Sequence, residues 1–238
     1  MKITSVRLGR ISVPLRTPFK TALRSVSSVE DVIVEIHTDC GAVGYGEAPP
    51  TGAITGDTTG AIIGAIQDHI AKTIIGRDVD ELEPLLQSVQ KCIVGNSSAK
   101  AAVDMALWDI KGKYFHMPIY EMLGGACRDR VRMYGHLKPA AIAGDFPVEE
   151  MLKIADQRLA EGFTAVKYSV IPPIRPLDNL EMLHAIVDRF AAVRQRVGSK
   201  VDIAVDFHGR VSSSMSIRVL KELEPYYPLF VEEPVLPE

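Results

Sequence analysis

The sequence predicts an α/β protein in two parts: an α+β first half, then a run of alternating β/α units. Three observations carry this. Alternating, β-branched runs cluster before residue 50, helical periods fill residues 57 to 115, and strand-like and helical runs take turns after Gly125. Strands grouped ahead of helices make an α+β layer, whereas regular alternation implies parallel strands with right-handed crossovers. The expected domains are therefore 1–125 and 126–238.

The first half opens on Ile3, Val6, Leu8 and Ile11-Ser12-Val13, a loose strand expected to end at Pro14. Arg16 to Arg24 reads as a long loop. Val29 to Thr38 alternates apolar with charged residues, and Asp39-Cys40-Gly41 turns it into Ala42 to Glu47, a hairpin. A second loop follows from Ala48 to Gly56. Asp57 is placed to cap a helix reaching Ile75, with Ile62, Ile66, Ile70 and Ile74 along one face. Asp80 to Val94 repeats the period. Ser97-Ser98 caps an alanine-rich helix from Ala99 to Phe115 that suits close packing and holds the only tryptophan, Trp108.

In the second half, strands are expected at Val131–Leu137, Thr164–Val170, Val201–Asp206 and Leu229–Glu232. Helices are expected at Val148–Glu161, Leu177–Val197 and Ser213–Leu223. The 30- to 40-residue spacing fits a barrel or a doubly wound sheet equally.

Composition excludes several function classes. The chain has 238 residues, 47% hydrophobic and 24% charged, enough for a core without staples. A net charge of −3 gives no electrostatic reason to expect nucleic acid. Cys40, Cys92 and Cys127 are scattered and odd in number, so they read as reduced thiols of a cytoplasmic protein. No apolar leader follows Met1 and no apolar run is long enough for a membrane span, so neither a membrane nor a secretory route is expected. Gly44-x-Gly46 lacks the later glycine of a dinucleotide loop, and there is no nucleophile elbow or P-loop.

Ligand crevices of parallel α/β proteins lie at strand C-termini. Here those ends read Lys167-Tyr168-Ser169, Asp206-Phe207-His208 and Glu232-Glu233-Pro234. Alternation sets Lys167 with Ser169 on one strand face, and Asp206 with His208 on another. Any one of these residues alone reads as a cap or a solvated loop. Together on successive strands they read as a site. Two carboxylates on adjacent ends repel unless a cation joins them, which points to a hard divalent metal such as Mg²⁺. A Lys or His beside it can move a proton. His136, at the end of the first parallel strand, faces the same edge on a thinner signal.

Asp206-Phe207-His208-Gly209-Arg210, with Glu232-Glu233-Pro234 following 26 positions on from Asp206, resembles the enolase superfamily. More narrowly, it is similar to the mandelate racemase group and its galactonate-type sugar-acid dehydratases. Ala106 to Lys113 and Leu123-Gly124-Gly125 resemble that group's junction between capping domain and barrel. The resemblance implies an α+β capping domain over a partial TIM-type barrel of about four β/α units. It implies Mg²⁺ on Asp206 and Glu232, and His208 as the acid that expels a β-hydroxyl. Lys167 is read as catalytic, and Ser169 as a contact for a small-molecule carboxylate substrate.

Two departures qualify it. The second strand carries Ser169 where the epimerases place their second lysine, which argues against two-base racemisation. Yet Pro14 to Arg24 and Gly46 to Thr51 resemble the dipeptide epimerases, making Lys20, Arg24 and Thr51 candidate substrate contacts. The halves thus point to a dehydratase and to an epimerase. The sequence also stops at Glu238, just past the fourth strand, so a third metal carboxylate and a His–Asp base are expected beyond it. A fragment, a chimera or an inactive scaffold is the alternative expectation. On that reading the chain alone binds Mg²⁺ weakly, turns over no substrate and self-associates, while the completed protein is a homo-oligomer.

Overall fold

The structure, a computed structural model, describes residues 1–20, 25–52, 54–137 and 147–236, with backbone alone at 17, 19 and 20. Two compact units divide the chain. One comprises Met1–Arg16 and Ser27–Asp129; the other comprises Thr17–Val26 and Arg130–Glu238.

The first unit is built on a three-stranded sheet in the order β1 (Ile3–Lys20), β2 (Ser25–Thr38), β3 (Val43–Ala48). β2 and β3 pair antiparallel from His37↔Val43 to Val32↔Ala48. Their turn is closed by Thr38 N–H donating to Ala42 O at 3.0 Å, with Gly41 at φ +84°. The expected end of the first strand at Pro14 is corrected: β1 continues through Pro14 and Pro18 to Lys20, where a loop was expected. β1 is an edge strand, and proline's missing N–H is tolerated where that side of the backbone faces solvent.

Helical chain then runs through α1 (Thr59–Gly64), one wider π turn (Ala65–Ile70) and α2 (Ala71–Ile74). The cap is Thr58, whose hydroxyl accepts from Ala61 N–H at 3.2 Å. Asp57, expected in that role, instead accepts from the N–H and hydroxyl of Ser98. Ile62, Ile66, Ile70 and Ile74 are all buried. α3 (Leu82–Lys91), α4 (Ser97–Phe115) and α5 (Ile119–Met122) complete the unit.

The alanines of α4 meet the glycines of β3. A Cβ added at Gly46 would stand 1.9 Å from Ala102 O, and one at Gly44 2.0 Å from Ala106 O. Sheet and helix backbones therefore approach to a distance that only glycine permits.

The second unit alternates β4 (Gly135–His136), α6 (Val148–Ala160), β5 (Ala165–Tyr168), α7 (Leu180–Val197), β6 (Asp202–Asp206), α8 (Ser213–Leu223) and β7 (Val231–Glu232). The strands form one parallel sheet in that order. Asn179 and Ser212 cap α7 and α8 by accepting from Met182 and Met215 N–H. Each strand is shorter than its alternating sequence run, because the hydrogen-bonded ladder ends before the pattern does.

Alternation sorts the two faces of this sheet. Val166, Tyr168, Ile203, Val205 and Phe207 join a core with Ile186, Phe190, Val193, Met215 and Val219. Lys167 and Asp206 take the other face. Among the described residues, no helix is long and apolar enough to cross a membrane.

Candidate active site

β5, β6 and β7 set three charged side chains in neighbouring positions. Asp206 is paired directly with Glu232, and Lys167 lies one register step from Val205 on the adjoining strand. Beyond the ladder, Phe207 N–H donates to Glu232 O at 3.0 Å and Gly209 N–H to Glu233 O at 3.1 Å. These two bonds zip the β6 and β7 ends together, so the carboxylates cannot drift apart.

Lys167 Nζ lies 3.1 Å from Asp206 Oδ2 and also ion-pairs with Glu232 Oε2. Lys167 is only 5% exposed and Asp206 9%, whereas the Glu232 side chain is 42% exposed. Burial alone would discharge the ammonium. The hydrogen bonds to Glu232 and Asp206, and their charge, outweigh it and raise the lysine above its ordinary range.

His208 sits at φ +56°, followed by Gly209 at the same value. A left-handed non-glycine residue costs about 1–2 kcal/mol and persists only where surroundings enforce it. Here Asp206 Oδ1 accepts from His208 N–H at 2.8 Å, and the histidine ring lies 3.6 Å from Asp206 Oδ2. One carboxylate thus holds both the lysine and the histidine.

His136, in register with Lys167, completes the neighbourhood. Its pKa is pulled down, first by burial and then by Lys167, against the opposing charges of Asp206 and Glu232. Tyr134, just ahead of β4, has its ring 5.6 Å from Lys167 Nζ and edge-on to His136 and Phe230. Arg210 returns from the β6 loop across the end of β5. Its Nη2 donates to Ile171 O at 2.7 Å and reaches Ser169 Oγ at 3.4 Å. Burial pulls this guanidinium's pKa down, and the charge of Asp206 acts against that.

The fold thus gathers Lys167, Asp206, Glu232 and His208, with Ser169 alongside through Arg210. Thr51 belongs to the first unit, where its hydroxyl lies 2.8 Å from that of Thr55 and its carbonyl closes the turn to Ile54 and Thr55. The side chain of Lys20 and the whole of Arg24 lie outside the described residues. Arg210 was quoted in the sequence motif without a role; its position four residues beyond Asp206, in the same strand-end loop, was the signal. Tyr134 carried a weaker one, two residues before His136 on an alternating strand.

The donor set suits a hard divalent cation. Two carboxylates from paired strand positions converge on one cation, here the ammonium of Lys167, and all the oxygen donors are of the type Mg²⁺ accepts. Among the described residues, no group of three or more His, Cys, Asp or Glu side chains is assembled for a metal. Asp206 and Glu232 are the pair that would hold one.

Comparison with known proteins meets this geometry. Residues 3–124 match the model described as mandelate racemase/muconate lactonizing enzyme, N-terminal domain, and residues 150–238 match enolase C-terminal domain-like. The chain is 38% identical over 224 residues to the L-Ala-D/L-Glu epimerase of Clostridium acetobutylicum, covering 94% of this chain and 58% of that protein. It is 35% identical over 212 residues to the D-galactonate dehydratase of Xanthomonas euvesicatoria pv. vesicatoria, covering 87% and 52%. The crystal structure of a dipeptide epimerase from Cytophaga hutchinsonii, complexed with Mg and D-Ala-L-Val, superposes with a TM-score of 0.79 at 29% identity. That match covers 99% of this chain and 60% of the other. The chain spans between about half and three fifths of the length of these relatives.

Proposed function

The chain belongs to the mandelate racemase/muconate lactonizing enzyme family of the enolase superfamily, and from that membership we propose a Mg²⁺-dependent lyase that dehydrates a sugar acid. The observation that carries the choice of lyase is His208, tethered beside the carboxylate pair, with Ser169 rather than a second lysine at the end of β5.

On this reading Asp206 and Glu232 hold the metal, which supplies electrostatic stabilisation to charge building on the substrate carboxylate as its α-proton leaves. Lys167 fixes both metal-binding carboxylates and presents its ammonium to the same developing charge. His208 gives its proton to the departing β-hydroxyl. The α-carbon loses a proton to a base, the C–O bond breaks, and water leaves with the histidine's proton. Lys167 is held between two carboxylates and is not that base. Ser169 and Arg210 border the substrate on the β5 side.

A second reading is dipeptide epimerisation, favoured by the 38% identity to the C. acetobutylicum epimerase. Assays with sugar acids and with dipeptides, each with and without Mg²⁺, separate the two. Formation of a 2-keto product with loss of water supports the lyase. Dipeptide epimerisation with no dehydration of any sugar acid overturns it. His208→Asn is expected to lower dehydration by about a hundredfold or more while sparing exchange of the α-proton with solvent deuterium. Exchange and dehydration falling together would remove His208 from the role of acid.

A further inference from the structure

We propose that Arg210 is a positioning residue: it ties the end of β5, with Ser169, to the loop that carries His208, so that the two move as one piece. The proposal rests on the reading of Ser169 as a substrate contact and of His208 as the acid, and it adds a residue that acts through both.

Residues 169–178 join β5 to α7. Pro172, Pro173 and Pro176 stiffen this loop by fixing their own φ angles, and they remove three of its N–H donors. Among the described residues, no backbone-to-backbone hydrogen bond outside helices and strands reaches 169–178. Arg175 and Asp178 pair within the loop. Side chains of the next β/α unit hold it from outside. Arg210 Nη2 donates to Ile171 O at 2.7 Å, Ser212 Oγ donates to Pro176 O, and Arg218 Nη1 donates to Asp178 O at 3.0 Å. Three donors in order along 210–218 thus meet three carbonyls in order along 171–178.

The first of these clasps lies nearest the charged cluster. Asp206 Oδ1 fixes the His208 N–H, and the left-handed residues His208 and Gly209 turn the chain. Arg210, the next residue, reaches over β5, its Nη2 also 3.4 Å from Ser169 Oγ. Toward β7, Gly209 N–H donates to Glu233 O. The histidine is therefore held in a short turn that is pinned on both neighbouring strands, and Arg210 is the pin on β5. A hydrogen bond from a charged donor is about twice as strong as a neutral one, which gives this contact leverage over where Ser169 stands. Arg218 acts at the opposite end of the loop, beside the start of α7, and serves as the comparison.

Amide exchange read by NMR on the intact chain tests the tie, with Arg210→Met, Arg210→Lys and Arg218→Met beside wild type. Arg210→Met is expected to speed exchange at Ser169, Val170, Ile171 and His208 about tenfold or more, Arg210→Lys less, and Arg218→Met only toward Asp178. Kinetics test the consequence, with Mg²⁺ and whichever of the sugar acids and dipeptides is turned over. Arg210→Met is expected to raise KM about fivefold or more, with a smaller loss in kcat. Adding Ser169→Ala to it should raise KM less than about twofold further, because both changes remove one contact. Arg210→Lys should recover part of the loss, and Arg218→Met should keep KM within about twofold of wild type. Unchanged exchange at 169–171 or at His208, losses from Arg210→Met and Ser169→Ala that multiply, or an equal rise in KM from Arg218→Met overturns the proposal. Turnover of neither substrate class would overturn the lyase and epimerase readings alone; faster exchange confined to 169–171 and His208 would then sustain the tie by itself.

Discussion

The two sheets of this molecule use their buried faces in opposite ways. In the first unit, β3 turns Gly44, Gly46 and Ala48 toward the unit's core, and α4 closes on the two glycines through Ala102 and Ala106. Charges buried in that unit are used singly, each tying two element ends. Lys100 donates to Gln90 O, Lys111 to Asp80, and Asp57 accepts from Ser98. In the second unit, one face of the parallel sheet is covered by large apolar side chains, while the other concentrates Lys167, Asp206, Glu232 and His208 at one end. The first sheet has tolerance for neither volume nor charge at its contact face. The second accepts a cluster of charge because its members neutralise one another.

Substitutions sharpen this contrast. The largest effect is expected from Gly46→Ala. Its new methyl meets backbone at 1.9 Å, which no rotamer change relieves, so a loss of about 4 kcal/mol or more is expected in urea denaturation. A variant that melts like wild type would show that α4 moves freely off β3.

Next comes Lys167→Met. Removing the shared cation leaves two carboxylates facing each other, at about 3 kcal/mol, the lower end for a broken buried pair because Glu232 is part solvated. Millimolar Mg²⁺ should restore much of this loss in thermal melts. A variant indifferent to Mg²⁺ would show that the carboxylate pair has no use for a divalent cation.

Lys111→Met, the matching change in the first unit, is expected to cost less, with no recovery in Mg²⁺. It should also alter the acid limb of stability. The hydrogen bond from Lys111 holds the Asp80 carboxyl below its ordinary range. That contribution is present above the unfolded carboxylate value, about pH 4, and is lost as pH falls through the lower folded value. The variant should therefore lose less stability on acidification than wild type; an unchanged acid limb would remove Asp80 from the account.

The smallest effect is expected from Gly135→Ala, about 1–2 kcal/mol, because the nearest atoms to its methyl are side-chain rather than backbone, Arg158 Cδ, Cγ and Cβ at 2.7, 2.9 and 3.1 Å, and the arginine can shift where a backbone carbonyl cannot. If Gly135→Ala matched Gly46→Ala in the same denaturation series, the difference drawn between the two sheets would collapse.

How much of this was legible in the sequence follows the same divide. Helices α6, α7 and α8 were readable from their apolar periods, with Gly162 and Gly198 marking the ends of the first two; the start of α7 was not, since it was expected at Leu177 and the capping side chain is that of Asn179. Asp206 and Glu232 were readable because strand ends of parallel units fix where side chains gather. β1 beyond Pro14 was not, since proline's effect depends on whether a strand lies at an edge, which is a tertiary fact. Asp57 and Thr58 both have capping side chains, and only the approach of Ser98 decides which one caps. Arg210 was hidden for a different reason. An arginine's meaning lies in its partners, and those are set by a loop crossing from β6 to the end of β5.

The π turn at Ala65–Ile70 has a consequence in angular arithmetic. Residues four apart in an α-helix drift by about 40° per step, so four isoleucines at 62, 66, 70 and 74 would wind about a third of the way round the axis. A wider turn, of about 4.4 residues, reverses the sign of that drift. The turn carries Ala71 N–H to Ile66 O, five residues back, and the isoleucines stay in line with the core. In this helix the strict four-residue apolar repeat goes together with one surplus residue in the turn. Removing the exposed Asp68 would leave isoleucines spaced four, three and four, which an unbroken α-helix also keeps on one side. Midway along a buried helix, where a deletion ordinarily scrambles every contact downstream, this chain has a position at which its length can change by one and its core remain the same.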